Sequence, residues 1–250
     1  MENDRRIEEP SVEAAPWRPL GLALVIIVLY MLTREVVQHY ELGTTQESWD
    51  RYDAWMSLPR LASFNACLAV MWFHGGARKW GWHAQWSGRG IALLVISVIA
   101  FLFYYASGPR EYTYTNAGLA SGWIRSLPVA LCEESCFRGL VFLALRRRFG
   151  AISAALISSL LFTFYHWHAQ PTYLWPDIFI FGVAACAALE RGTGLVWIAL
   201  THEIEDSLWF HLGSAPGHLH PAYLAVAAIL HLFLLMIALW WMRRRPPLRS

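Results

Sequence analysis

Charged residues are scarce in this sequence, and that scarcity argues against a water-soluble domain. Only 15% of the 250 residues are Asp, Glu, Lys or Arg, whereas a soluble domain carries roughly 25%. Hydrophobic residues make up 56% of the chain. The 14 tryptophans suit the two interfaces of a membrane better than one packed core. We therefore expect an integral membrane protein.

Two other classes of protein are excluded by what is missing. The net charge is only +2 and no basic stripe interleaves with aromatic residues, so nothing indicates nucleic-acid binding. The four cysteines lie in apolar stretches, which argues against the disulfide framework of a small secreted protein. They are Cys67, Cys132, Cys136 and Cys186.

Eight apolar segments approach the roughly 20 residues that a helix needs to cross about 30 Å of hydrocarbon. They predict an all-α fold, a polytopic membrane bundle of about eight transmembrane helices over residues 19–242. A polar tail precedes it at residues 1–18, and a basic cytoplasmic tail follows at residues 243–250. The segments are Pro19–Val37, Leu58–His74, Gly90–Ser107, Ser126–Leu145, Gly150–Trp167, Thr172–Leu189, Gly194–Leu212 and Pro221–Met242.

The distribution of Lys and Arg predicts the orientation of this bundle. With both termini in the cytoplasm, fourteen of the twenty basic residues lie on inner loops and tails, and five lie on the outer side. This asymmetry follows the positive-inside rule. The polar stretch before the first segment, residues 1–18, mixes acidic with basic residues and has neither a signal-peptide cleavage site nor an organellar targeting signature. We expect a multi-pass protein of the plasma membrane, in the bacterial inner membrane.

An ionised side chain at mid-bilayer costs at least about 2.5–3.5 kcal/mol, so such residues usually serve a function, and three of the segments carry the candidates for a site. They are Glu133, Glu134 and Arg138 on the fourth segment, His166 on the fifth, and His202 and Asp206 on the seventh. A carboxylate, two imidazoles and a further carboxyl group from three helices are the raw material of a hydrolytic site.

Helical spacing assigns different roles to the two adjacent glutamates. Glu134 and Arg138 are four residues apart, which favours an ion pair within one helix. Glu133 lies about 140° away from Arg138 around an α-helix, so it needs another partner or a proton, as a general acid or base does. His202 and Asp206 are also four residues apart and share one polar face.

Several residues have simpler interpretations. His168, His211, His218, His220 and His231 are assigned to interfaces or packing, and Gly182, Ala185 and Cys186 to close helix packing. Glu203 and Glu205 are left without a role. Cys136 is either a nucleophile or, by preference, a small apolar packing residue.

The three motifs together resemble the CPBP family, the CAAX proteases and bacteriocin-processing enzymes. The family pattern is E-E-x-x-x-R, then F-x-x-x-H, then H-x-x-x-N or H-x-x-x-D. Here it is matched by Glu133, Glu134 and Arg138, by Phe162 with His166, and by His202 with Asp206. The resemblance covers about residues 125–210, the protease-like core.

The resemblance implies an intramembrane endopeptidase that acts on a membrane-anchored or exported protein or peptide. Glu133 would be the general base on a water that His166 also binds, and His202 and Asp206 would stabilise the oxyanion. We expect no cofactor, although Glu133, His166, His202 and Asp206 are also residue types that bind zinc. The alternatives are a proton-coupled transporter and a non-catalytic membrane scaffold.

Position 206 departs from the family pattern, because many members carry Asn there. An ionised Asp only accepts hydrogen bonds, so Asp206 is protonated, orients His202 through its other ring nitrogen, or ligates a metal.

The position of Glu133 along its helix predicts the side on which the site opens. Glu133 lies about 10 Å along a helix that starts on the outer face, so we expect the site to open toward the extracytoplasmic half of the membrane.

Overall fold

The computed structural model describes residues 17–41, 46–106, 126–167, 170, 172–212 and 221–243. Most of the predicted N-terminal tail and nearly all of the predicted C-terminal tail lie outside these residues. Within the described ranges the regular secondary structure is helical, without strands, which confirms the all-α fold.

With one exception, the helices follow the apolar segments closely. Their bounds are α1 Trp17–Glu41, α2 Gln46–Phe73, α3 Gly88–Ala106, α4 residues 126–149, α5 residues 151–165, α6 Trp175–Glu190, α7 Leu195–Leu212 and α8 Pro221–Arg243. Short 3-10 turns occupy Ala77–Trp80 and Thr172–Leu174. The helical stretch Leu143–Tyr165 is broken at Gly150, whose φ of 78° and ψ of 167° separate α4 from α5.

One helix is much longer than its apolar segment predicts. α2 begins at Gln46 and contains Pro59, whereas the sequence predicted a start at Leu58. The added turns are polar in composition but bury Tyr52 and Met56 against the core. A search for continuous apolar runs misses such turns, because tertiary packing stabilises them.

Among the residues that the structure describes, two stretches are long and apolar enough to cross a membrane by themselves, Trp17–Tyr40 in α1 and Leu224–Arg243 in α8. Residues Gly88–Phe103 of α3 form a shorter apolar helix. The other helices carry more polar residues on buried faces, so the count of eight membrane crossings stays a prediction.

α4 and α6 form the centre of the structure. α4 contacts α1, α2, α5, α6 and α7, and every residue from Cys132 to Val141 is buried. α6 is buried from Ile180 to Glu190 and packs closely on α5. A Cβ atom on Gly182 would lie 2.8 Å from the Ser159 hydroxyl oxygen, which confirms the packing interpretation of the small residues on α6.

Basic residues gather at the end of the bundle where α4 turns into α5. Arg146 forms an ion pair with Glu190, and the Arg147 guanidinium lies 4.9 Å from the centre of the Trp80 ring. Arg191, which follows α6, donates a hydrogen bond to the Trp241 carbonyl oxygen. The candidate site lies further along α4 and α7, toward the other end.

Candidate active site

The backbone of α4 changes its winding where the two adjacent glutamates lie. Residues Glu134–Phe142 are π-helical, and Glu133 is the residue immediately before them. The 140° separation expected between Glu133 and Arg138 assumed a regular α-helix, and the π-helical turns invalidate it. Hydrogen bonds from i to i+5 widen the turn, and such segments occur frequently at functional sites.

The winding brings both carboxylates to one imidazole ring. Nδ1 of His202 lies 2.8 Å from Oε1 of Glu134, and Nε2 of the same ring lies 3.6 Å from Oε2 of Glu133. A carboxylate accepts a hydrogen bond from Nδ1–H, so Glu134 fixes the ring orientation and directs Nε2 toward Glu133.

Glu134 also makes the ion pair predicted from the sequence. Its Oε2 lies 3.2 Å from Nε of Arg138, and both side chains are almost completely buried. The Arg138 guanidinium carbon lies 3.9 Å from the centre of the Phe162 ring and 5.3 Å from that of Phe181. The positive charge is therefore held by one carboxylate and two aromatic faces.

His166 approaches Glu133 from the end of α5. Its Nδ1 lies 2.8 Å from the Phe162 carbonyl oxygen, and its Nε2 lies 3.6 Å from Oε2 of Glu133. A carbonyl oxygen only accepts, so Nδ1 carries the hydrogen and the neutral ring presents the lone pair of Nε2 to the site. The Phe162 ring packs edge-on against this imidazole at 4.6 Å between centroids.

Asp206 lies on the same side of His202 as Glu133. Its Oδ2 is 3.6 Å from Nε2 of His202. Nδ1 of His202 is hydrogen-bonded to Glu134. Of the three roles left open for Asp206, orienting His202 through Nδ1 is therefore wrong. Within the described residues no group of three or more His, Cys, Asp or Glu side chains has the arrangement of a metal site.

A cavity of about 60 Å³ adjoins these groups. His166, His202 and Asp206 line it together with the rings of Phe101 and Phe181. Because one water needs about 10–15 Å³ of such volume, the cavity has room for a few waters beside the imidazoles. Glu133 borders a smaller cavity of about 10 Å³ on its other side, next to Tyr30 and Cys132.

Residues 115–208 match the family model described as type II CAAX prenyl endopeptidase Rce1-like. The resemblance to CAAX proteases is confirmed. The match covers more than a third of the chain and includes all of the candidate site residues. No curated protein and no solved structure matches the chain. The match and the apolar helices together indicate a membrane protease.

The CAAX-protease motifs do not contain all the polar groups of the cavity wall. Glu205 accepts a hydrogen bond from Ser97 at 3.1 Å and lines the cavity. Asp177 also lines it and pairs with His231, a partner that the assignment of His231 to an interface or packing role did not include. These partners come from different helices, and no local spacing signal reveals them.

The remaining acid of the seventh segment lies outside the cavity. Glu203 accepts hydrogen bonds from Ser126 at 2.6 Å and from Ser207 at 2.9 Å. Ser126 is the first described residue of α4, so this contact links α7 to the start of the helix that carries Glu133.

Cys136 has a packing role. Its buried Sγ lies 2.9 Å from the Sγ of Cys67.

Proposed function

We propose that the protein is a glutamate-type intramembrane endopeptidase that cleaves a peptide bond in a membrane-anchored or exported protein. The observation that supports this most is the position of Glu133, whose Oε2 lies 3.6 Å from Nε2 of both His166 and His202. Each of these 3.6 Å separations leaves room for a water oxygen at hydrogen-bond distance, about 2.8 Å, from both atoms.

In the proposed reaction Glu133 takes a proton from this water while Nε2 of His166 holds it in place. The oxygen attacks the scissile carbonyl carbon, and the negative charge develops on the carbonyl oxygen. His202, in its protonated form, donates Nε2–H to that oxyanion, while Glu134 stabilises the imidazolium through Nδ1–H. Glu133 then returns the proton to the leaving amine, so that the proton is conserved.

We propose that this chemistry needs no metal ion and that Asp206 works as a protonated carboxyl group. A neutral carboxyl group donates a hydrogen bond, as the Asn found in many CAAX proteases does, whereas a carboxylate would repel the oxyanion. The 3.6 Å distance between Oδ2 of Asp206 and Nε2 of His202 supports this role for Asp206.

The proposed orientation has eight helices crossing the membrane with both termini in the cytoplasm. The basic end of the bundle, with Arg146 and Arg191, would face the cytoplasm, in agreement with the positive-inside rule. Glu133 lies seven residues from the opposite end of α4, which is about 10 Å along the helix. Substrates would then enter from the extracytoplasmic half. Cysteine labelling that finds residues 146–148 outside the cell would contradict this orientation.

The test is cleavage by purified protein in liposomes that contain anchored candidate peptides. We expect the wild type to cleave with and without a chelator, and Glu133→Gln to be inactive. Glu203→Gln is a matched control, because it changes an equally buried glutamate that does not line the cavity. Cleavage by Glu133→Gln at the wild-type rate, or complete loss of wild-type cleavage on chelation, would contradict the mechanism. Substrate uptake without cleavage would indicate a transporter instead.

A further inference from the structure

An open cleft of about 760 Å³ lies at the basic end of the bundle, where the α2–α3 loop meets the α6–α7 loop. Arg78, His83, Trp86 and Ser87 line it from the first loop, and Arg191 from the second. Its described lining contains no carboxylate. None of the residues of the candidate active site contributes to it.

The walls of this cleft are fixed by hydrogen bonds from the α6–α7 loop and the first turn of α7 to the α2–α3 loop. The Gly194 N–H donates to the Gln85 carbonyl at 2.8 Å, and the Trp197 indole N–H donates to the Ala84 carbonyl at 2.7 Å. A Cβ atom on Gly194 would lie 1.8 Å from the His83 carbonyl oxygen, so only glycine permits this approach. The cleft is therefore a built feature of the fold.

Three sources of positive potential converge on the cleft. Arg78 is exposed, and no carboxylate pairs with it in the described part of the chain. The Arg191 side chain is held in place by its hydrogen bond to the Trp241 carbonyl. Ser87 caps α3 by accepting the Gly90 N–H at 3.0 Å, so the positive end of that helix dipole lies at the cleft edge. Guanidinium groups and helix N-termini both favour phosphate.

His83 adds a group that responds to such an anion. Burial and the nearby Arg78 charge lower the pKa of this histidine, so the ring is neutral at pH 7. A phosphate in the cleft would offset the Arg78 charge and favour protonation of the ring. The imidazole would then donate to the anion.

The surroundings of the cleft match the depth of lipid headgroups. Trp72 and Trp86 are largely exposed at this end of the molecule, and exposed tryptophans are enriched at membrane interfaces. We propose that this cleft binds the phosphate of an anionic phospholipid headgroup from the leaflet that the basic end of the bundle faces. Basic pockets between membrane helices bind anionic headgroups in this way.

The experiment measures lipid binding to the full-length protein in detergent micelles, by native mass spectrometry and by the shift of the unfolding midpoint. Phosphatidylglycerol is compared with phosphatidylcholine, and inorganic phosphate serves as a third probe. The variant is Arg78→Gln. The matched control is Arg89→Gln, which removes the same charge from an exposed residue that does not line the cleft.

We expect phosphatidylglycerol to bind the wild type and Arg89→Gln equally, and Arg78→Gln about tenfold more weakly, because charge-assisted hydrogen bonds are lost. Both variants should unfold at the wild-type midpoint without added lipid. Equal weakening by the two variants would show general surface attraction and overturn the proposal. It would also be overturned if phosphatidylcholine bound as tightly, or if inorganic phosphate reproduced the full stabilisation by the lipid.

Discussion

Changing Glu133 and Glu134 to glutamine in turn should separate catalysis from structure. The two residues are adjacent and similarly buried, but their surroundings differ. Glu134 contacts Nδ1 of His202 at 2.8 Å and Nε of Arg138 at 3.2 Å. Glu133 has contacts only at 3.6 Å to two imidazoles in the described site. Glu134→Gln therefore leaves a buried guanidinium without its carboxylate, whereas Glu133→Gln leaves no buried cation unpaired in that way.

The expected magnitudes follow from these contacts. Removing one partner of a buried ion pair costs about 3–5 kcal/mol, which lowers the unfolding midpoint of a chain of this size by roughly 6–20 °C. Glu133→Gln should leave the midpoint within a few degrees of the wild type. Its cleavage rate should fall by about 10²–10⁴, the usual contribution of a general base.

The assay pairs thermal unfolding in detergent with cleavage of an anchored peptide in liposomes, both on the same preparations. Glu203→Gln controls for the loss of a buried carboxylate elsewhere on the polar faces. The reasoning would be refuted if Glu134→Gln unfolded at the wild-type temperature, or if Glu133→Gln lost its stability and its activity together.

Three further substitutions test separate parts of the argument. Asp206→Asn should keep cleavage within about tenfold of the wild type, because an amide also donates a hydrogen bond to the oxyanion. Asp206→Ala should cleave more slowly than Asp206→Asn, and equal rates for the two variants would refute a donor at this position. Gly182→Leu should lower the free energy of unfolding by about 1–3 kcal/mol through overpacking against Ser159, whereas Gly21→Leu, where a Cβ meets open space, should not. Cys136→Ala should cleave at the wild-type rate. A loss of cleavage rate as large as that of Glu133→Gln would instead support the alternative that Cys136 is the nucleophile.

Sequence patterns predicted the helices because these depend on local composition, whereas the approach of the site residues was expected from the three motifs and the family resemblance. Apolar length located most of the helices, and glycine at position 150 located the break between α4 and α5. The i, i+4 spacing correctly paired Glu134 with Arg138. The pairing of Asp177 with His231 was missed, because residues 54 positions apart share no periodic signal. The polar first turns of α2 were missed because packing, not composition, stabilises them.

The π-helical stretch explains why the sequence predicted the ion pair of Glu134 with Arg138 but not its contact with His202. In an α-helix neighbouring residues point about 100° apart, and two consecutive carboxylates would not be expected to face one ring. A wider turn rotates less from one residue to the next, so both side chains reach α7. Glu134 can then orient His202 through Nδ1 while Glu133 remains beside Nε2 and His166. In the proposed mechanism the E-E pair thus supplies an orienting group and a base from adjacent positions, and the backbone winding at Glu134 makes this division possible.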